Sequence, residues 1–265
     1  MAENQLTYEL DGDVGLIGIN RPEKRNALHD QMFVELGQLI EEAGRHAKAA
    51  VLFGVGPDFS AGLDLAETLS RLTDGDMRRT WVGAHAPHVA FDKIARGRIP
   101  VIAALSGAVI GAGLEVAASA HIRVADDTAF FALPEARRGI YVGAGGSVRI
   151  QRLLGNARMT DMMLTGRVLD AGEALAQNLV QYRVDAGQAL ETARRIAKVV
   201  AENTPESNWA ITQGLARVND MSYDDGLYVE TLVAQNAVSA ESEQRLRDFV
   251  EKRAKPLDSP AQSRS

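Results

Sequence analysis

The sequence predicts an α/β fold, because short β-rich runs alternate with longer segments of helical periodicity. Residues 14–20 and 51–55 are β-rich, and residues 28–43 between them place leucine, methionine and isoleucine on one helical face. The alternation returns at residues 99–105, which lead into a glycine-containing loop at residues 107–113. A chain with this pattern is expected to form a sheet covered by helices.

The remaining elements follow in the same way. A helix is expected to open near Leu114, and two further β-rich runs at residues 122–125 and 129–133 lead to Pro134. Beyond residue 190 glycine becomes rare and helical periodicity dominates. The helices expected there are residues 193–200, 209–218, 227–238 and 241–252.

The chain is long enough for one large domain, or for one domain with a smaller appendage. It has 265 residues, of which 46% are apolar and 24% charged, so it can bury enough apolar surface to fold. We expect an α/β core over residues 1–195, a C-terminal helical region over residues 196–257 and a disordered polar tail over residues 258–265.

Charge and cysteine content exclude several classes of function. The chain has 29 Lys and Arg against 35 Asp and Glu, which argues against nucleic acid or an anionic membrane as the main partner. It contains no Cys, which excludes disulfides, thiolate nucleophiles and Cys-ligated metal centres and is typical of a reducing compartment. We therefore expect a cytoplasmic protein, for which a polyanionic ligand would require a locally basic site.

One apolar run resembles a membrane span in length. Residues 101–120 contain a single ionisable group, Glu115, but they also contain three glycines. The glycines favour a buried strand, a loop and a buried helix, so we reject the span. The N-terminal residues carry acidic groups where a signal peptide would be basic and apolar, so no export signal is expected.

Several common motifs are absent. The glycines near residues 111 and 143 lack the third glycine of a dinucleotide-binding loop, and no glycine loop ends in Gly-Lys-Ser/Thr. Ser60 and Ser106 lack the flanking glycines of a nucleophile elbow. His85 and His88 flank Pro87 without a third ligand nearby, which favours a surface or packing role over a metal site.

Two loops of small residues, 58–65 and 107–115, each precede a predicted helix. Such loops can direct free backbone N–H groups outward, and two of them can supply the pair of donors that stabilises an oxyanion. The alternative interpretation is that the small residues only permit tight packing.

Two glutamates lie near these loops. Glu115 lies in the apolar run, where a carboxylate must be desolvated or paired, and a desolvated carboxyl group suits general acid or base catalysis. Glu135 follows Pro134 at a predicted helix start, where an acidic residue can also serve only the helix dipole or pair with Arg137 and Arg138.

Four segments in this order resemble the crotonase (enoyl-CoA hydratase/isomerase) superfamily. They are Arg21-Pro22-Glu23-Lys24-Arg25-Asn26-Ala27-Leu28, Phe59-Ser60-Ala61-Gly62-Leu63-Asp64-Leu65, Gly111-Ala112-Gly113-Leu114-Glu115, and Pro134-Glu135 followed by Gly143-Ala144-Gly145-Gly146. The resemblance covers residues 14–170 and 239–256. It implies a spiral of ββα units followed by C-terminal helices that form trimers, commonly paired into hexamers.

The resemblance also implies an acyl-CoA thioester as ligand, with no metal and no cofactor other than the coenzyme A of the substrate. The oxyanion N–H groups would belong to Leu63 and Ala112, and Gly143 would help to hold a water molecule. Glu115 would activate that water and Glu135 would deliver a proton to the α-carbon. The residues implied in binding substrate or CoA are Lys24, Arg25, Ala27, Ala61, Asp64 and Leu65.

Both glutamates together favour hydration of a trans-2-enoyl-CoA, because family members that only shift a double bond usually keep one such carboxylate. An isomerase or a C–C hydrolase on the same fold is the second interpretation, and a non-catalytic acyl-CoA-binding or RNA-binding protein is the third. Leu63, Ala112 and Tyr141 depart from the residues usual in hydratases, which leaves the shape of the acyl pocket open.

Overall fold

A computed structural model of the chain describes residues 4–73, 75 and 77–253. Residues up to Glu202 form one compact unit, and residues from Asn203 onwards form a second. The expected boundary near residue 195 lies inside a helix of the first unit, seven residues before this division. The expected tail, residues 258–265, lies outside the described residues.

The strands of the first unit form two sheets. They are β1 (Leu6–Asp11), β2 (Val14–Ile19), β3 (Ala49–Gly54), β4 (Val101–Leu105), β5 (Ala108–Ile110), β6 (Ile122–Asp126), β7 (Phe130–Ala132), β8 (Val168–Asp170) and β9 (Tyr182–Val184). The larger sheet has the order β1-β2-β3-β4-β6-β9, in which only the β1–β2 pair is antiparallel. The smaller sheet has the order β5-β7-β8, with β5 and β7 parallel.

Helices follow most of the strands. They are α1 (Asp30–His46), α2 (Leu65–Thr73), α3 (Met77–Arg96), α4 (Ala112–Ser119), α5 (Gly146–Leu154), α6 (Asn156–Thr165), α7 (Ala171–Ala176) and α8 (Ala189–Ala201). Short 3₁₀ helices span Pro22–Lys24 and Glu135–Arg138. The α/β class predicted from the alternation of elements is confirmed.

Both faces of the inner strands β2 and β4 of the larger sheet are buried, as is typical of parallel sheets. Ile17, Leu52 and Ala103 share one apolar cluster with residues of α1, α3 and α4. Residues that alternate with these along the strands, such as Leu16 and Val51, lie on the opposite face of the sheet. They share a second apolar cluster with α8. Along α8, the residues in that cluster are alanines four positions apart, Ala189, Ala193, Ala197 and Ala201. This packing places α8 in the first unit.

The apolar run at residues 101–120 forms two strands and the eight-residue helix α4. The predicted glycine loop at residues 107–113 contains the three-residue strand β5, which the sequence did not indicate. Among the described residues, no helix is both long and apolar enough to cross a membrane.

The second unit consists of helices in its described part: α9 (Pro205–Val218), α10 (Tyr223–Asn236) and α11 (Ala240–Val250). Thr204, Ser222 and Ser239 cap the three helices through their side-chain oxygens. α9 packs against α10, where the backbone of Gly214 lies close to Val233. The helices predicted beyond residue 200 are confirmed, with starts up to four residues earlier than expected.

Candidate functional site

Parallel pairing brings three loop segments together at one edge of the smaller sheet. Ser60 forms a parallel bridge with Val109 of β5, and Ile110 of β5 is in register with Ala132 of β7. The chain therefore leaves these strands in the same direction, towards residues 61–65, 111–115 and 134–138. Because the carboxyl ends of parallel strands meet at one edge, the two glycine loops and Pro134-Glu135 become neighbours.

These segments surround a cavity of about 310 Å³. Its apolar lining includes Phe33, Leu65, Pro87, Ile110, Ile140 and Tyr141. Leu63, Ala112, Glu115, Glu135 and Gly143 also line it, so the structure brings together the predicted oxyanion and catalytic residues. A cavity with mainly apolar walls and a few polar groups is typical of a small-molecule site.

The backbone N–H groups of Leu63 and Ala112 are the candidate oxyanion donors. Leu28 pairs with the residues on either side of Leu63, by donating to the Gly62 carbonyl and accepting from the Asp64 N–H. Ala112 is the first residue of α4, where an N–H has no intrahelical acceptor. Neither N–H has a hydrogen-bond partner among the residues that the structure describes.

Glycine permits the close approach of the two donor loops. Gly62 has φ +96°, and a Cβ atom there would lie 2.7 Å from the Ile110 carbonyl oxygen and 3.5 Å from the Ala112 nitrogen. Gly111 has φ +54°, and a Cβ atom there would lie 2.8 Å from Oε1 of Glu135. Both positions therefore exclude side chains, which supports the functional interpretation of the loops without removing their role in packing.

Glu115 is 4% exposed and is paired within the protein. Its Oε1 accepts hydrogen bonds from the backbone N–H groups of Ala144 and Gly146, at 2.8 and 2.9 Å. Among the described residues no group donates to its Oε2. The carboxylate is thus held in place through one oxygen while the other remains available to a ligand.

The loop that holds Glu115 also carries Gly143. The N–H of Gly143 has no hydrogen-bond partner in the described part of the chain. The guanidinium of Arg149 donates to the Ala144 carbonyl at 3.0 Å and to Asp92 of α3 at 3.3 Å. These two bonds connect the loop to α3. One short segment therefore fixes Glu115 and presents an unused donor to the same cavity.

Glu135 is in a different environment, although it is also buried, with 8% exposure. Its Oε2 is buried and has no hydrogen-bond partner in the described structure. Burial raises the pKa of Glu135 from 4.5 to about 7, and the charge of Glu115 adds to this rise while Arg138 opposes it. The site thus contains one carboxylate with N–H donors and one carboxyl group that holds a proton near neutral pH.

This difference predicts a pH dependence of stability. An unfolded Glu135 ionises near 4.5 and the folded one near 7, so the free energy of unfolding should fall as pH rises through that window. The loss should total about 1 to 3 kcal/mol and be complete above pH 7. Urea denaturation of wild type and Glu135→Gln at pH 5 and pH 8 should show the variant gaining relative stability at pH 8. An equal change in the free energy of unfolding of wild type and Glu135→Gln between the two pH values would contradict this prediction. The control is Glu9→Gln, which replaces an exposed carboxylate on β1.

Two of the residues expected to bind the nucleotide part of CoA, Lys24 and Arg25, do not line the cavity, nor does Ala27. They lie on the turn before α1, which adjoins the first donor loop because the Ala61 N–H donates to the Arg25 carbonyl at 2.9 Å. Lys24 is exposed, and the Arg25 guanidinium is ion-paired with Asp58 at 2.8 Å. Ala61 and Leu65, in contrast, line the cavity itself.

Asp64 lies next to the cavity but is occupied by protein contacts. Its carboxylate accepts from the Arg21 guanidinium at 2.8 Å and from the N–H groups of Ala66 and Glu67 at the start of α2. The Arg21 contact holds the pKa of Asp64 below its usual value. These bonds give Asp64 a role in fixing the loop that carries Leu63.

Arg138 is a cavity residue that sequence reasoning did not identify as such. The sequence suggested that Arg137 and Arg138 could pair with Glu135, but neither forms an ion pair with it in the described structure. Arg137 instead donates to the Thr165 carbonyl. The sequence signal that could have identified Arg138 is its spacing. It follows Glu135 by three residues in a 3₁₀ turn capped by Pro134, so both side chains lie on one face of the turn.

His85 and His88 lie on α3 with exposed side chains. Within the described residues, no group of three or more His, Asp or Glu side chains has an arrangement that could hold a metal ion.

Comparison with known proteins gives consistent matches along the chain. Residues 9–259 match the family described as enoyl-CoA hydratase/isomerase. The chain is 31% identical over 257 residues to the short-chain-enoyl-CoA hydratase of Clostridium acetobutylicum, covering 96% of this chain and 97% of that protein. It is 30% identical over 252 residues to enoyl-CoA hydratase EchA19 of Mycobacterium tuberculosis, covering 93% of each.

A solved structure from Rhodopseudomonas palustris is 44% identical in sequence to this chain, with a TM-score of 0.87. The match covers 94% of this chain and 95% of that one. Both the α/β core and the C-terminal helices therefore have counterparts in a protein of known structure.

Proposed function

Because the chain belongs to the enoyl-CoA hydratase/isomerase family, we propose that it adds water across the double bond of a trans-2-enoyl-CoA. Relatives named enoyl-CoA hydratase support its assignment as a hydro-lyase. The observation that carries the proposal is the presence of Glu115 and Glu135 in one cavity with the free N–H groups of Leu63 and Ala112. Water addition needs both carboxyl groups, whereas a double-bond shift needs one.

The thioester carbonyl oxygen would accept hydrogen bonds from the N–H groups of Leu63 and Ala112. Addition of a nucleophile at C3 moves electrons onto this oxygen and forms an enolate. Backbone donors that have no partner before the substrate binds stabilise that charge without reorganisation. Loss of one such donor typically costs about 100- to 1,000-fold in rate.

The two glutamates would divide the proton transfers between them. Glu115, held through Oε1, would take one proton from water through Oε2 while the hydroxide oxygen bonds to C3. The Gly143 N–H would hold the same water. Glu135, protonated near neutral pH, gives its proton to C2 of the enolate. The product is a 3-hydroxyacyl-CoA, and a proton returns from Glu115 to Glu135 to complete the cycle.

The CoA moiety would leave the cavity past the turn that carries Lys24, Arg25 and Ala27. That turn is bonded to the Ala61 loop, so it lies beside the oxyanion donor Leu63. Lys24 would supply a charge for CoA phosphates, and Leu65 would contact the thioester side of the acyl group. Asp64 keeps its contacts with Arg21 and α2 and would position the loop.

The direct test is an assay of purified protein with crotonyl-CoA and a longer trans-2-enoyl-CoA. We expect the absorbance of the conjugated thioester to fall and the product mass to rise by one water, with oxygen from labelled solvent in the product. Conversion of 3-enoyl-CoA without hydration, or cleavage of a β-diketone substrate, would overturn the hydratase proposal in favour of an isomerase or a C–C hydrolase.

We also propose that the C-terminal helices mediate assembly into a trimer or hexamer. The second unit exposes many large apolar side chains, which supports an interaction surface there. They are Trp209, Ile211, Leu215, Met221, Tyr223, Leu227, Tyr228, Leu232, Val238, Leu246, Phe249 and Val250.

Phe249, 73% exposed on α11, offers a test of this assembly. We expect Phe249→Asp to reduce the molar mass measured by light scattering after gel filtration, because a charge opposes burial at an apolar interface. Gln244→Asp on the same helix adds the same charge at a polar position and should leave the mass unchanged. A monomeric wild type, or an unaltered mass in Phe249→Asp, would contradict the proposal.

A further inference from the structure

Arg138 lines the cavity in a position that neither the oxyanion donors nor the glutamates require. It ends the 3₁₀ helix Glu135–Arg138, where side chains three residues apart lie one above the other. Glu135 and Arg138 therefore extend from the same face of this turn towards the cavity. No other cavity-lining residue in the described structure is basic.

The guanidinium of Arg138 has no hydrogen-bond or ion-pair partner among the described residues. Its neighbour Arg137 differs, because it donates to the Thr165 carbonyl and packs against the backbone of Gly166. Arg138 is exposed, whereas two half-buried arginines around the site are occupied, Arg21 by Asp64 and Arg149 by Asp92. Arg138 is therefore the cation at this site whose five donors are unused.

The walls around Arg138 limit what it can bind. Ile140 and Tyr141 follow it along the chain and line the same cavity, and Tyr141 is 67% exposed. A guanidinium binds a carboxylate through two parallel hydrogen bonds, and no carboxylate of the described protein fills that role. Lys24, the exposed cation that the proposed function assigns to CoA phosphates, is outside the cavity lining, so that assignment does not involve Arg138.

We propose that Arg138 is a specificity-determining residue that binds a carboxylate at the far end of the acyl chain, so that the substrates are 2-enoyl-CoA thioesters of dicarboxylic acids. This inference rests on the proposed function, because it assumes that the acyl group lies in the cavity. The oxyanion donors would hold C1, the two glutamates would flank C2 and C3, and Arg138 would hold the distal carboxylate beside Tyr141.

Binding of saturated acyl-CoA pairs tests this inference without turnover. Glutaryl-CoA is compared with pentanoyl-CoA, and adipyl-CoA with hexanoyl-CoA, by titration calorimetry on the wild type, Arg138→Gln and the matched control Arg137→Gln. We expect the wild type and Arg137→Gln to bind the carboxylate member of at least one pair roughly tenfold to hundredfold more tightly than the methyl member. In Arg138→Gln this preference should disappear, while affinity for the methyl member changes by less than about twofold.

Two results would overturn the inference. If neither pair shows a preference in the wild type, Arg138 does not bind an acyl carboxylate. If Arg138→Gln weakens both members of each pair equally, the guanidinium binds a CoA phosphate instead. Failure of the hydratase proposal would appear separately, as unchanged absorbance of 2-enoyl-CoA substrates in protein that still binds the saturated pairs.

Discussion

Replacement of either glutamate by glutamine should lower kcat for hydration by roughly 100- to 10,000-fold. Glu115→Gln removes the base but keeps an oxygen that can accept from the Ala144 and Gly146 N–H groups, so the loop should stay in place. Glu135→Gln removes the carboxyl proton while keeping the shape of the side chain. Initial rates with crotonyl-CoA measure both effects, and circular dichroism with thermal unfolding shows whether each variant is folded.

The same variants can separate the two roles. Exchange of the α-protons of a saturated acyl-CoA with deuterium from the solvent needs a group at C2 and no water at C3. We expect Glu135→Gln to abolish this exchange and Glu115→Gln to retain most of it. Full hydratase rates in both variants would refute the assignment, and Glu9→Gln, which changes an exposed carboxylate on β1, should behave as the wild type.

The second large effect is expected from a single methyl group at Gly111. In Gly111→Ala the new Cβ would lie 2.8 Å from Oε1 of Glu135, and φ of +54° is strained for any residue with a Cβ. If the backbone rotates to relieve the strained φ, the direction of the Ala112 N–H changes. If the close contact with the new Cβ is relieved, Glu135 is displaced. We expect kcat/KM to fall by about 100-fold or more and the free energy of unfolding to fall by about 1 to 3 kcal/mol.

Gly44→Ala is the matched control for this change. Gly44 lies within α1, where a Cβ would meet Arg98 at an ordinary distance of 3.4 Å. Alanine in a helix interior is favoured over glycine, so this variant should keep full activity and gain stability. Wild-type kinetics in Gly111→Ala would show that the geometry at this turn does not control the reaction.

Much of the fold was predictable because its signals are local. The β-rich runs around Val14, Val51 and Val101 and the apolar face of α1 all appear in the structure near their expected bounds. The crotonase resemblance is confirmed by the family match and by the solved structure that covers 94% of this chain. The sequence did not indicate the three-residue strands β5, β8 and β9 or the six-residue strand β1, whereas the three-residue strand β7 lies within the expected run 129–133.

The sequence motifs predicted which residues lie around the cavity, but they did not predict the hydrogen bonds and ion pairs of the charged side chains. The motifs brought Glu115, Glu135, Leu63 and Ala112 to one cavity, as the resemblance implied. They did not indicate that Asp64 would be occupied by Arg21, or that Arg137 would bond to the Thr165 carbonyl while Arg138 lines the cavity. Such pairings depend on residues distant in sequence, so no local pattern encodes them.

The segment from Gly143 to Gly146 contacts both the proposed base and the proposed site of the nucleophilic water. Glu115 is anchored to the Ala144 and Gly146 N–H groups, and the free Gly143 N–H belongs to the same segment. A shift of this segment would therefore displace the donors that hold Glu115 and the Gly143 N–H together. In the proposed mechanism, one loop thus sets the position of both the base and the nucleophilic water relative to C3 of the thioester.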